Sequence, residues 1–152
     1  MKAVLMRVQR ASVTIDERET RSIGRGFLIL LAVTHDDTEA QAVKLADKLC
    51  SLRLFEDADG KINLTLDEVG GEIMIVSQFT LYGNCRKGRR PEFLNAARPE
   101  TAIPLYEKFV SLVRAKGYHV ETGEFGAYMA GDSVNDGPFP LIVDTKDLEA
   151  QK

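Results

Sequence analysis

The chain has 152 residues, 44% hydrophobic and 28% charged, a length and composition that suit one soluble globular domain with a real core. No apolar run approaches the roughly 18–20 residues that cross a bilayer, which argues against a membrane partner. The net charge of −3 excludes a protein that coats nucleic acid through bulk positive charge, but leaves room for a local basic patch.

The opening stretch has arginines at positions 7 and 10 and lacks the apolar core and small-residue cleavage site of a signal peptide. A cytoplasmic location and a single domain over residues 1–152 are therefore expected. Residues 2–8 and 11–16 read as two short strands. Gly24 and Gly26 precede a strand rather than follow one, so they read as turn glycines and not as a dinucleotide fingerprint. Phe27 to Val33 is almost wholly apolar, the pattern of a strand buried on both faces. A helix follows. Thr38 and Gln41 have capping-box spacing, and Ala42, Leu45, Ala46, Leu49 and Cys50 make one stripe. Cys50 thus reads as a buried thiol, and two cysteines make no disulfide framework.

Leu52 to Phe55 reads as a short strand. Asp57, Asp59 and Gly60 hint at a calcium loop, but Lys61 takes a ligand position and Ile62 stands where that loop needs glycine. A tight turn is the better reading. Ile73 to Val76 forms a second apolar strand, running into Ser77-Gln78-Phe79-Thr80-Leu81. A helix spans about Ala102 to Ala115, with Pro104 in its first turn. Tyr118 to Thr122 and Phe139 to Val143 read as further strands. Strands outnumber helices in mixed order. The expected class is α+β, with mixed and antiparallel sheets packed together and helices on one side, in β/β/α layers.

Familiar catalytic signatures are missing. His35 and His119 read as structural, and no zinc spacing, nucleophile elbow or P-loop occurs. Neither metal nor cofactor is expected. Three polar segments remain. Arg86, Lys87, Arg89 and Arg90 put four positive charges in five residues, either a solvated loop or a phosphate contact site. Ser77-Gln78-Phe79-Thr80 lies at a strand end, where free N–H groups can hold an oxyanion. Asn135-Asp136-Gly137-Pro138, taken alone, reads as a turn.

Taken together, Ser77-Gln78-Phe79-Thr80-Leu81 and Asn135-Asp136-Gly137-Pro138 resemble the two signature motifs of the D-aminoacyl-tRNA deacylases. The resemblance runs from Met1 to about Thr145. Arg7-Val8-Gln9-Arg10-Ala11-Ser12-Val13, Leu81-Tyr82-Gly83, Arg86-Lys87-Gly88-Arg89-Arg90-Pro91, Thr122-Gly123, Phe125-Gly126-Ala127 and Met129 also match. Two stretches depart from the pattern. Pro140 follows Phe139 where the family usually carries Thr, which leaves the backbone path beyond Pro138 open. Ala130-Gly131-Asp132-Ser133 is more polar than the family's lead-in.

The resemblance implies hydrolysis of the ester between a D-amino acid, or glycine, and tRNA. It implies catalysis around Ser77, Gln78, Phe79 and Thr80. Backbone N–H groups of Phe79 and Thr80 would hold the carbonyl oxygen, Gln78 would orient the adenosine or ester, and Ser77 would fix the strand end. Either Thr80 is a nucleophile or the ribose 2′-hydroxyl of the tRNA assists. Gly137 and Pro138, joined by a cis bond, would enter the partner subunit's pocket in a homodimer and reject L-amino acids. Arg7 would brace them, with Phe125, Met129 and Asn135 around the substrate. Arg86, Lys87, Arg89 and Arg90 would meet tRNA, and DNA is not an expected partner. The competing expectations are an RNA-binding module without activity and a deacylase of relaxed chirality.

Overall fold

The computed structural model describes residues 1–149. Its spine is β1 (Lys2–Ile15), a 14-residue strand where the sequence suggested two. The strand runs through the exposed pair Gln9-Arg10 and exchanges β3 for β2 as its neighbour there. Lys2 to Val8 pair antiparallel with β3 (Gly26–Ala32), and Ala11 to Ile15 pair with β2 (Glu19–Ile23). On the other edge, β8 (Met129–Asp144) runs antiparallel along the whole of β1. Parallel strands β6 (Glu72–Ser77) and β7 (Val120–Thr122) complete a six-stranded mixed sheet. Strands β4 (Arg53–Glu56) and β5 (Ile62–Thr65) form a separate antiparallel pair. The α+β class is as expected.

Local chemistry explains the joints. Asp16 and Glu17 both take positive φ, the geometry that lets the β1–β2 turn follow the strand twist. At Gly26 a Cβ would stand 1.8 Å from the Glu72 carbonyl oxygen, so only glycine lets β3 and β6 begin this close. In the turn between β4 and β5, Asp57 accepts from the Asp59 and Lys61 amides at 2.9 and 3.0 Å. Its carboxylate is spent on closing the turn.

Helix α1 (Glu39–Ser51) starts with the expected capping box, Thr38 accepting from the Ala40 amide and Gln41 reaching back to the Thr38 amide at 2.7 Å. Such a cap is worth about 1 kcal/mol. Helix α2 (Pro99–Ala115) begins three residues earlier than expected, because Pro99 suits the first helical position. Pro104 consequently lies in the second turn. It is exposed, so water can serve the carbonyl it leaves unpaired. Both helices pack on one face of the sheet, over Leu5, Phe27, Ile29, Ile73 and Ile75. Phe27 stacks on Phe55 at 5.5 Å. Cys50 is buried there, and burial pushes its thiol up to about 11.

The opposite face departs from expectation. The apolar run from Phe27 to Val33 predicts a strand buried on both sides, yet Leu28 and Leu30 are only half-buried, as are Val4 and Met6 on β1. Among the described residues no helix packs over them. Alternation between two apolar faces cannot show from sequence which face the chain itself covers. The last strand is also much longer than Phe139 to Val143. Asn135 to Pro138 is not a turn before it but lies within β8, where the β1–β8 register shifts between Met6 and Arg10. Pro140 pairs with Met6 on this edge strand, so its missing N–H breaks no inner ladder. His119 precedes β7 rather than lying in it. The short helix α3 (Thr145–Glu149) follows β8.

Candidate active site

Strand β6 ends at Ser77 and the chain turns into a 3-10 helix over Phe79–Tyr82. The Gln78 amide donates to the Leu31 carbonyl at 2.8 Å, and the Leu81 amide donates to Gln78 at 3.3 Å. Between them, the Phe79 and Thr80 amides meet no acceptor among the described residues. That follows from helix geometry: the first N–H groups of any helix have no partner behind them. Gln78 Nε2 donates to Thr80 Oγ1 at 2.5 Å. Phe79 is 54% exposed and packs edge-on against Phe93 at 5.2 Å. From β1, Lys2 Nζ donates to the Leu81 carbonyl at 3.3 Å and lies over the Tyr82 ring, tying down the end of the turn.

The turn forms one lip of a cavity of about 1070 Å³. Its floor is the uncovered sheet face, with Met6, Leu28, Leu30 and Val76. Ser77, Gln78, Phe79, Phe125 and Met129 all line it, so five of the residues singled out from sequence converge here. Thr80 is exposed beside it. Gly131, Asp132 and Ser133 of β8 form a further wall, with Ser12. Sequence reasoning missed His35 and Arg98, which line the cavity too. His35 Nε2 lies 2.6 Å from the Leu94 carbonyl, so that nitrogen donates. Neither residue carries a spacing signal, because Thr34 and Ala96 bring their segments together only in the fold.

The second motif lies elsewhere. Gly137 and Pro138 are joined by a cis bond and exposed, and neither they nor Asn135 and Arg7 line the cavity of their own chain. Arg7 is buried at 6% exposure. It donates through Nε to the Asp136 carbonyl at 3.0 Å and through Nη1 to the Leu54 carbonyl at 2.6 Å, and its guanidinium covers the Phe139 ring. Arg86, Lys87, Arg89 and Arg90 are all exposed on a loop whose ends meet at the Asn84–Glu92 bridge. That loop leaves from the Phe79–Tyr82 turn and returns through Phe93, which lines the cavity.

A family model described as D-Tyr-tRNA(Tyr) deacylase matches residues 4–144. The chain belongs to this family. At family level it is a hydrolase of D-aminoacyl-tRNA esters, with tRNA as partner. It is 52% identical over 147 residues to the D-aminoacyl-tRNA deacylase of Thermus aquaticus, with 97% of each chain covered. It is 54% identical over 132 residues to a Bacillus subtilis relative named an inactive D-aminoacyl-tRNA deacylase, covering 87% of this chain and 100% of that one. A solved structure titled c-Myc DNA Unwinding Element Binding Protein superposes with a TM-score of 0.87 at 39% identity, covering 95% of this chain and 98% of that one.

Proposed function

We propose that the protein removes D-amino acids, and glycine, from tRNA while sparing L-aminoacyl-tRNA, and that it does so as a homodimer. The observation that carries this is the turn at Phe79–Thr80, whose two unpaired amides stand on the lip of an open cavity. The ester carbonyl oxygen of the aminoacyl group meets those amides as it becomes an oxyanion. One donor of that kind is worth about 10²–10³ in rate. Ser77 holds the strand end, and Gln78 orients the adenosine or the ester. Phe125 and Met129 close the pocket around the substrate.

Among the described residues no base hydrogen-bonds to the Thr80 hydroxyl. Its hydroxyl oxygen accepts from the Gln78 amide, a donor that cannot take the hydroxyl proton. The ribose 2′-hydroxyl, adjacent to the ester, then activates the water or stabilises the leaving oxygen. Thr80→Ala retains activity on this reading, and a substrate lacking the 2′-hydroxyl reacts poorly. Abolished turnover in a folded Thr80→Ala protein would favour Thr80 as nucleophile.

The dimer is supported by two surfaces. Val4, Met6, Leu28 and Leu30 leave an apolar sheet face partly open, and Ile142 on β8 is 75% exposed. Gly137 and Pro138 do not line their own chain's cavity, so their contribution to chirality requires a partner's pocket. There the two carbonyl oxygens face the substrate α-carbon. Hydrogen fits against them and an L side chain does not. The basic loop takes the phosphates of the acceptor end. Sedimentation should give a dimer at micromolar concentration; an active monomer would remove the cross-subunit pocket. The inactive Bacillus subtilis relative favours one rival, a family fold that binds RNA without turnover. Measured hydrolysis of D-tyrosyl-tRNA decides between them.

A further inference from the structure

Phe125 to Met129 line the cavity without a gap, and all but Met129 lie on the segment that joins β7 to β8. A connecting segment holds a wall only if something ties it down. Its backbone gives few ties. Among the described residues, residues 123–128 bond to other elements through the Gly123 amide, which donates to Ile75 at 3.4 Å, and the Tyr128 carbonyl, which accepts from the Asp16 amide at 2.9 Å. The side-chain hydrogen bonds to this segment, among the described residues, all come from the β1–β2 hairpin, from Asp16, Arg18 and Arg21. Arg18 and Glu124 are both exposed, a pair worth little. Arg21 is different, with a side chain only 27% exposed. It pairs on β1 with Val13, a lining residue, so it leaves β2 on the cavity face of the sheet. The Glu19 carboxylate takes Nε at 3.1 Å and Nη2 at 3.3 Å. That fork leaves Nη1 for the segment, where it donates to the Thr122 carbonyl at 2.9 Å and the Gly123 carbonyl at 3.2 Å. A Cβ on Gly123 would run into the Met129 sulfur, so the backbone that Arg21 holds is packed directly against a lining side chain.

We infer that Arg21 is a positioning residue of the candidate active site, fixing the segment that carries Phe125 and leads into Met129 so that the pocket wall is formed before substrate arrives. The inference rests on the deacylase reading of the same cavity. Arg21 does not line the cavity, so it acts through Gly123 and Met129. The turn with the Phe79 and Thr80 amides is held separately, by the Leu31 carbonyl and by Lys2. Loosening the wall therefore weakens substrate binding and leaves the oxyanion donors in place. A wall already ordered spares the substrate the cost of ordering it, and that saving is what Arg21 contributes. Glu19 acts one step further back, by orienting the guanidinium plane.

The test measures kcat and KM for D-tyrosyl-tRNA in the wild-type protein, Arg21→Met, Arg21→Lys and Glu19→Gln, with amide hydrogen exchange on each. Arg21→Met should raise KM about three- to tenfold, the loss of charged hydrogen bonds at a partly exposed site, and leave kcat within about twofold. Exchange should quicken over residues 123–128 and stay as in the wild type along β6, a local loosening that a general loss of stability does not give. Arg21→Lys should recover part of the KM, since an ammonium reaches the carbonyls but cannot keep the fork to Glu19. Glu19→Gln should move KM the same way by less. Unchanged KM in Arg21→Met would overturn the inference, as would a fall in kcat alone or exchange that quickens equally along β6. If Arg21→Met does not fold, wild-type KM in both Arg21→Lys and Glu19→Gln overturns it instead. A wild-type protein inert towards D-tyrosyl-tRNA would overturn the deacylase reading, while exchange would still report whether Arg21 holds the segment.

Discussion

The guanidinium of Arg7 donates to the carbonyl oxygen of Asp136 at 3.0 Å, while Arg7 Nε also lies 3.3 Å from the Asp136 carboxylate. A buried cation on the central strand β1 therefore holds the backbone one residue before Gly137. Its second bond, to the Leu54 carbonyl, anchors the same side chain to β4. The exposed motif is fixed from beneath.

Arg7→Met should destabilise the fold by roughly 2–4 kcal/mol, because two carbonyl groups lose their charged donor. Arg7→Lys should recover only part of that, since an ammonium cannot reproduce the guanidinium fork. Chemical denaturation of the three proteins measures the ranking. Wild-type stability in Arg7→Met would show that the anchoring carries no weight.

Gly137 has φ +128, a conformation that residues with side chains rarely adopt. A Cβ there would also stand 3.2 Å from Arg7 Nη2. Gly137→Ala should cost about 1–3 kcal/mol of stability and lower D-tyrosyl-tRNA turnover at least tenfold, more than the stability change explains. Steady-state kinetics on the folded variant checks this. Full activity would separate Gly137 from the substrate pocket.

Replacing Arg86, Lys87, Arg89 and Arg90 together with glutamine should raise KM for D-aminoacyl-tRNA and leave kcat nearly unchanged. The salt dependence of kcat/KM should become shallower, by about 0.7–0.9 in log–log slope for each phosphate that the loop no longer neutralises. An unaltered slope would make the loop a solvated bystander. None of the four lines the cavity, so a fall in kcat would be unexpected.

High pH should weaken the protein before it attacks the site. Burial pushes the Cys50 thiol up to about 11 and the Tyr106 hydroxyl up to about 12. Both groups are favoured neutral in the folded chain and ionise earlier in the unfolded one. The Cys50 contribution is fully present below about pH 9 and is lost as pH rises through about 11, and that of Tyr106 is present below about pH 10 and lost towards about 12. Denaturation midpoints should fall across that window, and Cys50→Ala should flatten the early part of the fall. A midpoint that stays level would contradict the burial of the thiol.

These residues also show how far the sequence could be read. Thr38, Gln41 and the stripe to Cys50 were legible because capping and helical spacing are local. The Ser77–Thr80 turn was legible as a strand end with spare amides. Residues 2–8 and 11–16 look like two strands, since nothing local shows that β8 pairs along both halves across a register shift. Leu28 and Leu30 misled for a related reason: an apolar residue looks the same whether its own chain or something else covers it. Asn135 to Pro138 looked like a turn because Asn, Gly and Pro favour turns, yet β1 pairing draws the segment into a strand. His35 and Arg98 reach the cavity only through long-range packing, and no spacing could announce them.

The central claim is chiral hydrolysis, and its most direct test is the rate of deacylation of D-tyrosyl-tRNA against L-tyrosyl-tRNA, on the same tRNA and with the same purified protein. The account predicts that the D-ester is hydrolysed while the L-ester stays essentially intact over the same time. Equal rates on the two enantiomers, or no hydrolysis of the D-ester, would contradict it.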